Sequence, residues 1–277
     1  MALGQACGII ALSPHNKGQP LIKLREGVFH LKIKRDNKIL SYVLLGALTL
    51  GVGLSFFHGQ SRTAPVFSAA RAAGETVVID AGHGGEDGGA VSISGVPESG
   101  INLAIALKLD HLLGLYGVQA KLLRTSDISL HDSDAKTLRQ KKASDLHNRV
   151  DIIESTENPT LISIHQNIFQ SARYHGAQVF YANEELSLPL AALTQSRLKE
   201  TLDPSNTRLP ARIPDSVYLM KHITCRAILV ECGFLSNREE DKKLQTASYQ
   251  TKIGLALAGA FIQFQEIEPQ PMTGGEP

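Results

Sequence analysis

VVIDAGHGGEDGGA, residues 77 to 90, decides how the rest of the chain is read. Val77, Val78 and Ile79 form a short β-branched apolar run, the composition of a buried strand. The run stops at Asp80, and Gly82, Gly84, Gly85, Gly88 and Gly89 follow. Glycines in that number let backbone and ligand approach closely. His83 stands at the strand's carboxyl end, where α/β sheets place their ligands. Two readings are open: a phosphate-cradling loop or tight turn, and a metal site. The stretch by itself admits both.

Working outward, residues 76 to 265 alternate short apolar runs with amphipathic stretches, the pattern of a three-layer α/β/α domain around a twisted, mostly parallel mixed sheet. After Pro97, ESGINLAIALKLDHLLGLYG places Ile101, Ile105, Leu109 and Leu112 at three- and four-residue spacing, a helix with one buried face that ends near Gly117. VQAKLLR reads as a strand, residues 126 to 143 as a polar loop, and DLHNRVDIIEST as a short helix bearing Arg149. LISIH and GAQVFYA are strands, and LSLPLAALTQSRLKETL is a helix with Pro189 in its first turn. VYLMK and RAILVE read as further strands, and YQTKIGLALAGAFIQFQ as the last helix. Residues 266 to 277 have the composition of a flexible tail.

The 277 residues carry 28 basic and 27 acidic side chains, so no overall field suggests nucleic acid. Three cysteines are too few for a disulfide framework. Cys225 and Cys232 flank one strand, about 23 Å apart if extended, where a bridge needs under ~7 Å. Both are expected to be free and mostly buried. Residues 39 to 57, ILSYVLLGALTLGVGLSFF, hold no charge and as a helix span roughly 28 Å, close to the ~30 Å of a hydrocarbon core. A single amino-terminal transmembrane anchor, or an uncleaved signal, is expected there. Lys23, Arg25, Lys32, Lys34, Arg35 and Lys38 lie closely before it, so residues 1 to 38 belong on the cytoplasmic side and residues 76 to 265 outside, in the cell envelope, after a tether of residues 58 to 75. Residues 1 to 33 are unusual for a simple anchor and could be a translated upstream extension.

Three positions share one placement. His83 follows strand VVID, His165 ends LISIH, and Glu231 ends RAILVE. In a largely parallel sheet these carboxyl ends meet along one rim. Glu98 opens the helix after the glycine loop and can turn back toward that rim. Two imidazoles and a carboxylate with a fourth position open suit a catalytic zinc site, and a second carboxylate suits a general base and acid. Each residue also has a plainer reading: a hydrogen-bonded structural histidine, a helix amino-terminal charge for Glu98, an exposed strand end for Glu231. Against the last, Ala227, Leu229 and Glu231 share one face of an apolar run, and a buried acid needs a partner. His111, His147 and His222 have no comparable setting.

VVIDAGHGGEDGGA, ESGINLAIAL, LISIHQN and AILVECGFLSN occur in one order over residues 76 to 264. In these motifs the chain resembles the zinc-dependent N-acetylmuramoyl-L-alanine amidases of the Amidase_3 type. The resemblance implies one catalytic zinc held by His83, Glu98 and His165, with Glu231 as catalytic acid and base. Asn167 falls on the family pattern in a substrate-contacting or supporting role, and Gln166 replaces a residue that is usually small, with little expected consequence. It implies hydrolysis of the amide between the lactyl group of N-acetylmuramic acid and L-alanine in peptidoglycan. LHNRVDIIE, GAQVFYA and VYLMKHITCRAILVECGFLSN bring the chain nearest to the spore-cortex members from endospore-forming bacteria, whose product goes on to muramic lactam. That likeness leaves room for an accessory lipoprotein or activator. The alternatives are a vegetative cell-separation amidase and a zinc peptidase or aminoacylase on free peptides. On this reading the loop is no phosphate cradle, because Glu86 and Asp87 would repel an anion.

Overall fold

The structure, a computed structural model, describes residues 74–267. The expectations for residues 1 to 73, including the membrane segment 39 to 57, and for the tail from 268 lie outside the described residues. Among the described residues no helix is long and apolar enough to cross a membrane.

Six strands form one sheet: β1 (Thr76–Ala81), β2 (Ala120–Leu122), β3 (Pro159–Asn167), β4 (Gln178–Tyr181), β5 (Ala211–Arg212) and β6 (Arg226–Phe234), in the order β2-β1-β3-β6-β4-β5. All neighbours are parallel except β4 and β6. The sheet is therefore mixed and mostly parallel, as its runs of Val, Ile and Leu suggest for strands covered on both faces.

Alternation along the strands sorts the core into two layers. Val77, Ile79, Ile162, Ile164, Ile228 and Val230 point to one face and pack against α1 (Glu98–Leu115), α3 (Glu184–Leu202) and α6 (Ala247–Ile267). Val78, Leu161, Ala227 and Leu229 point to the other, under α2 (Leu138–Glu154) and α4 (Tyr218–His222). A short helix α5 (Arg238–Leu244), capped by Asn237 on the amides of Glu239 and Glu240, turns the chain from β6 into α6. The β1 and β3 registers pair Asp80 with Ser163 and Ala81 with Ile164, and β3 and β6 set His165 directly beside Glu231. That register is what brings the strand ends to one rim.

Four expectations are corrected. VYLMK is not a strand but falls in the helix α4: Leu219 and Met220 are its buried residues, and the Tyr218 and His222 rings stack 3.9 Å apart one turn away. Pro189 lies inside α3, past its first turn, because the helix starts earlier at the Asn183 cap, whose side chain accepts from the amides of Glu185 and Leu186. The polar stretch 126 to 143 ends in helix from Leu138, where Thr137 and Gln140 cap each other reciprocally. In α1 it is Leu113 that is fully buried, with Leu112 only packed against the core's edge. Cys225 and Cys232 are free, the second buried and the first half-buried.

Candidate metal centre

The loop after β1 places His83 in the left-handed region, φ 63°. That is uncommon for a residue with a side chain and clusters at functional sites. The turn lets its imidazole face back over the sheet. The start of α1 is tied to the same loop: the amide of Glu98 donates to the Ala90 carbonyl (2.8 Å), that of Ser99 to the Gly88 carbonyl (3.0 Å), and the amide of Ala90 donates to Glu98 Oε2 (2.9 Å). Glu98 thus points inward from the first turn, buried, although the helix dipole alone would have suited an exposed acid.

His83, Glu98 and His165 each offer a ligand atom, all lying within 4.8 Å of one another. His165 Nδ1 is 3.0 Å from Glu98 Oε1, and His83 Nε2 is 3.5 Å from Glu98 Oε2. Tetrahedral zinc with bonds of about 2.0–2.1 Å needs its ligand atoms about 3.3 Å apart, so the donor set fits that ion. The imidazoles meet nearly edge to face, centroids 5.0 Å apart. The glycines close the cradle. A Cβ on Gly82 would sit 2.2 Å from His165 Nε2, and one on Gly89, at φ 70°, 2.6 Å from His83 Cδ2 and 2.7 Å from Glu98 Oε2.

Charges in the cluster follow from contact. Burial opposes ionisation of Glu98, but the His165 hydrogen bond and the His165 and His83 charges outweigh it and hold the carboxyl at about 2. Burial would also suppress charge on His165, yet Glu98, with Glu231 and Asp80 nearby, raises its pKa. Glu231 behaves oppositely. Burial pushes it up to about 7, with Glu98 adding to the effect and the two imidazoles opposing it. Its Oε2 is buried and finds no hydrogen-bond partner among the described residues. An unpaired buried acceptor costs about 1–3 kcal/mol, so its retention calls for an occupant. Glu231 faces a cavity of ≈ 300 Å³ shared with His83, His165, Asp80 and Arg149, whose far wall is Val217, Tyr218, Leu219 and Met220.

All four expected centre residues, His83, Glu98, His165 and Glu231, are together. Asn167 ends β3 beyond an irregularity in register, with its carbonyl accepting from the Leu235 amide (2.8 Å), and it does not line the cavity. Gln166 has more consequence than expected. Its amide donates to Glu98 Oε1 (3.0 Å), and its buried side chain donates to Asn102 Oδ1 (3.1 Å), while Asn102 Nδ2 reaches the same Glu98 oxygen (3.2 Å). Asp87, in the sequence an acid that would repel an anion, has a second role. It lies 3.0 Å from His83 Nδ1, the carboxylate–histidine pairing that orients a metal-binding imidazole. The sequence held no periodic signal for it, since the loop is irregular.

Residues 77–263 match the family model of N-acetylmuramoyl-L-alanine amidase, and the chain belongs to that family. Among its relatives, the germination-specific N-acetylmuramoyl-L-alanine amidase of Bacillus subtilis is 33% identical over 192 residues, 69% of this chain and 80% of that protein. The solved structure of the CwlD amidase from Clostridioides difficile, in complex with the GerS lipoprotein, is 38% identical with a TM-score of 0.68, covering 70% of this chain and all (100%) of that one. The amidase AmiC2 of Nostoc punctiforme follows the same fold at 26% identity and TM-score 0.58, over 70% of this chain and 98% of that one.

His83→Ala and His165→Ala are each expected to lose bound zinc along with activity, measured by metal analysis of the purified variants beside the wild type. Retention of zinc by either variant would remove that residue from the ligand set.

Proposed function

We propose that the chain is a zinc-dependent peptidoglycan amidase that cuts between the lactyl group of N-acetylmuramic acid and L-alanine. The observation that carries this reading is the buried Glu231 Oε2, without a hydrogen-bond partner among the described residues, near the His83, Glu98 and His165 donors. Bound zinc would supply Lewis acidity toward the lactyl carbonyl and the attacking water. Glu231 takes the proton from that water as its oxygen adds to the carbonyl carbon. It then delivers the proton to the departing L-alanine nitrogen as the C–N bond breaks, leaving a lactyl carboxylate and a free stem peptide. A carboxyl raised to about 7 suits both transfers near neutrality. Gly82 and Gly89 leave the imidazoles and Glu98 free to converge, and the apolar wall of Val217, Leu219 and Met220 limits bulk water.

The setting is the spore cortex, where removal of the peptide precedes muramic lactam formation. The likeness to a germination-specific amidase and to one seen with a lipoprotein supports this, and an accessory lipoprotein fits the same picture. Anchoring through residues 39 to 57, with residues 76 to 265 outside the membrane, completes the reading.

Mass spectrometry of purified peptidoglycan digested with the protein tests the reaction. Intact stem peptides beginning at L-alanine should appear, vanish with EDTA and return with added zinc. Cleavage of free peptides with peptidoglycan left intact would make the protein a peptidase or aminoacylase instead.

A further inference from the structure

Two buried guanidinium groups lie under the glycine loop. Arg124, just beyond β2, has a wholly buried side chain (0% exposed). Its Nε donates to the Ala81 carbonyl (2.9 Å), Nη1 to that of Ser126 (3.1 Å), and Nη2 to those of Gly82 (3.1 Å) and Ser99 (2.8 Å). Arg149, on α2, donates from Nη2 to the His83 carbonyl (2.8 Å) and from Nη1 to that of Ala81 (3.2 Å). Three consecutive carbonyls at the exit of β1, residues 81 to 83, are therefore held by two side chains from separate stretches of the chain.

The cost of this arrangement argues for a purpose. Burying an ion costs several kcal/mol unless partners compensate. Arg149 has Asp80 and Asp145 against it, the latter 2.7 Å from Nε. Arg124 has only carbonyls, with Asp127 4.0 Å away and mostly exposed. Burial and the charge of Arg149 accordingly depress its pKa. What the two groups hold is the one stretch of β1's exit that must stay in an unfavourable conformation, His83 at φ 63°. Holding the carbonyls of both Gly82 and His83 fixes the peptide planes on either side of His83, and with them its φ and ψ.

We propose that Arg124 and Arg149 are positioning residues that clamp the carbonyls of Ala81, Gly82 and His83 and so hold the His83 imidazole toward Glu98 and His165 before a metal arrives. The inference rests on the reading of those three side chains as a zinc site. It predicts that the loop is ordered in the metal-free protein and that lysine, which keeps the charge but not the fork, will not substitute.

The test uses Arg124→Lys and Arg149→Lys beside the wild type and Leu198→Ala, a core truncation in α3 outside the site. Three quantities are read: zinc affinity by chelator competition, the visible spectrum of the cobalt-substituted protein, and amide hydrogen exchange of residues 82 to 90 after metal removal. The arginine variants should bind zinc about 10- to 100-fold more weakly, show a changed cobalt spectrum, and exchange faster in the loop. Leu198→Ala should lose thermal stability with none of these changes. Arginine variants that melt earlier but keep wild-type affinity, spectrum and loop exchange would overturn the proposal. Should either fail to fold, Asp145→Asn loosens Arg149 more gently, and unchanged readouts there overturn it equally. If the wild type holds no zinc through His83 and His165, the zinc reading fails. Loop exchange in the metal-free chain still decides the clamp separately.

Discussion

Glu231→Gln is expected to lower kcat/KM by about a thousandfold while the protein keeps close to one zinc per chain. Glutamine preserves size but cannot shuttle the proton. The same change should stabilise the metal-free protein, because Glu231 is a buried carboxyl whose Oε2 has no partner among the described residues. Its folded pKa, about 7, lies above the ordinary 4.5. Between those values the folded chain keeps a proton that the unfolded chain has released, so wild-type stability falls as pH rises through that window. The full cost, about 3 kcal/mol, is present above pH ~7. Thermal melts of chelated wild type and Glu231→Gln should therefore nearly coincide at pH 4 and separate progressively to pH 8. Loss of zinc from the variant would mark Glu231 as a ligand, and a gap that does not vary with pH would contradict its raised pKa.

Gly82→Ala should abolish metal binding with a single methyl group. The added Cβ would lie 2.2 Å from both His165 Cε1 and Nε2. Contact that close is repulsive by far more than any packing gain, so the ring must move. Its Nδ1 then leaves Glu98 Oε1. Zinc affinity should fall at least about a hundredfold, as for loss of a ligand's fixed orientation, with activity following it. The chain should still melt cooperatively, since Gly82 lies at the rim and no core side chain is lost. Chelator competition and calorimetry on one preparation separate the outcomes: near-wild-type zinc affinity would show that His165 can yield without cost.

The four centre residues were legible because each sits at a break in a linear pattern, although β3 and β6 themselves run on to Asn167 and Phe234. His165 and Glu231 close apolar runs, Glu98 opens a periodic helix, and His83 interrupts a glycine loop. The rest depends on side chains reaching across the fold. Arg124 and Arg149 look like surface charges in sequence, and nothing in their neighbours reveals that carbonyls of β1's exit will receive them. Asp87 was legible as an acid but not as the partner of His83, because loop geometry sets that contact. VYLMK misled for a different reason. In five apolar-rich residues, period two and period 3.6 cannot be told apart. The early start of α2 is written in Thr137 and Gln140, a capping signature set amid other polar residues.

The cavity's two sides come from separate stretches of chain. The metal donors and Glu231 belong to the ends of β3 and β6, the start of α1 and the loop after β1, all fixed by the central sheet. The far wall, Ser216 to Met220, belongs to α4 and its approach, a brief excursion between β5 and β6 that supplies no donor. Mutational drift can therefore reshape that wall, lengthen it or change its polarity without disturbing the reacting groups. Among related hydrolases, divergence in which glycopeptide is accepted should accumulate in this excursion, while the opposite side stays almost unaltered.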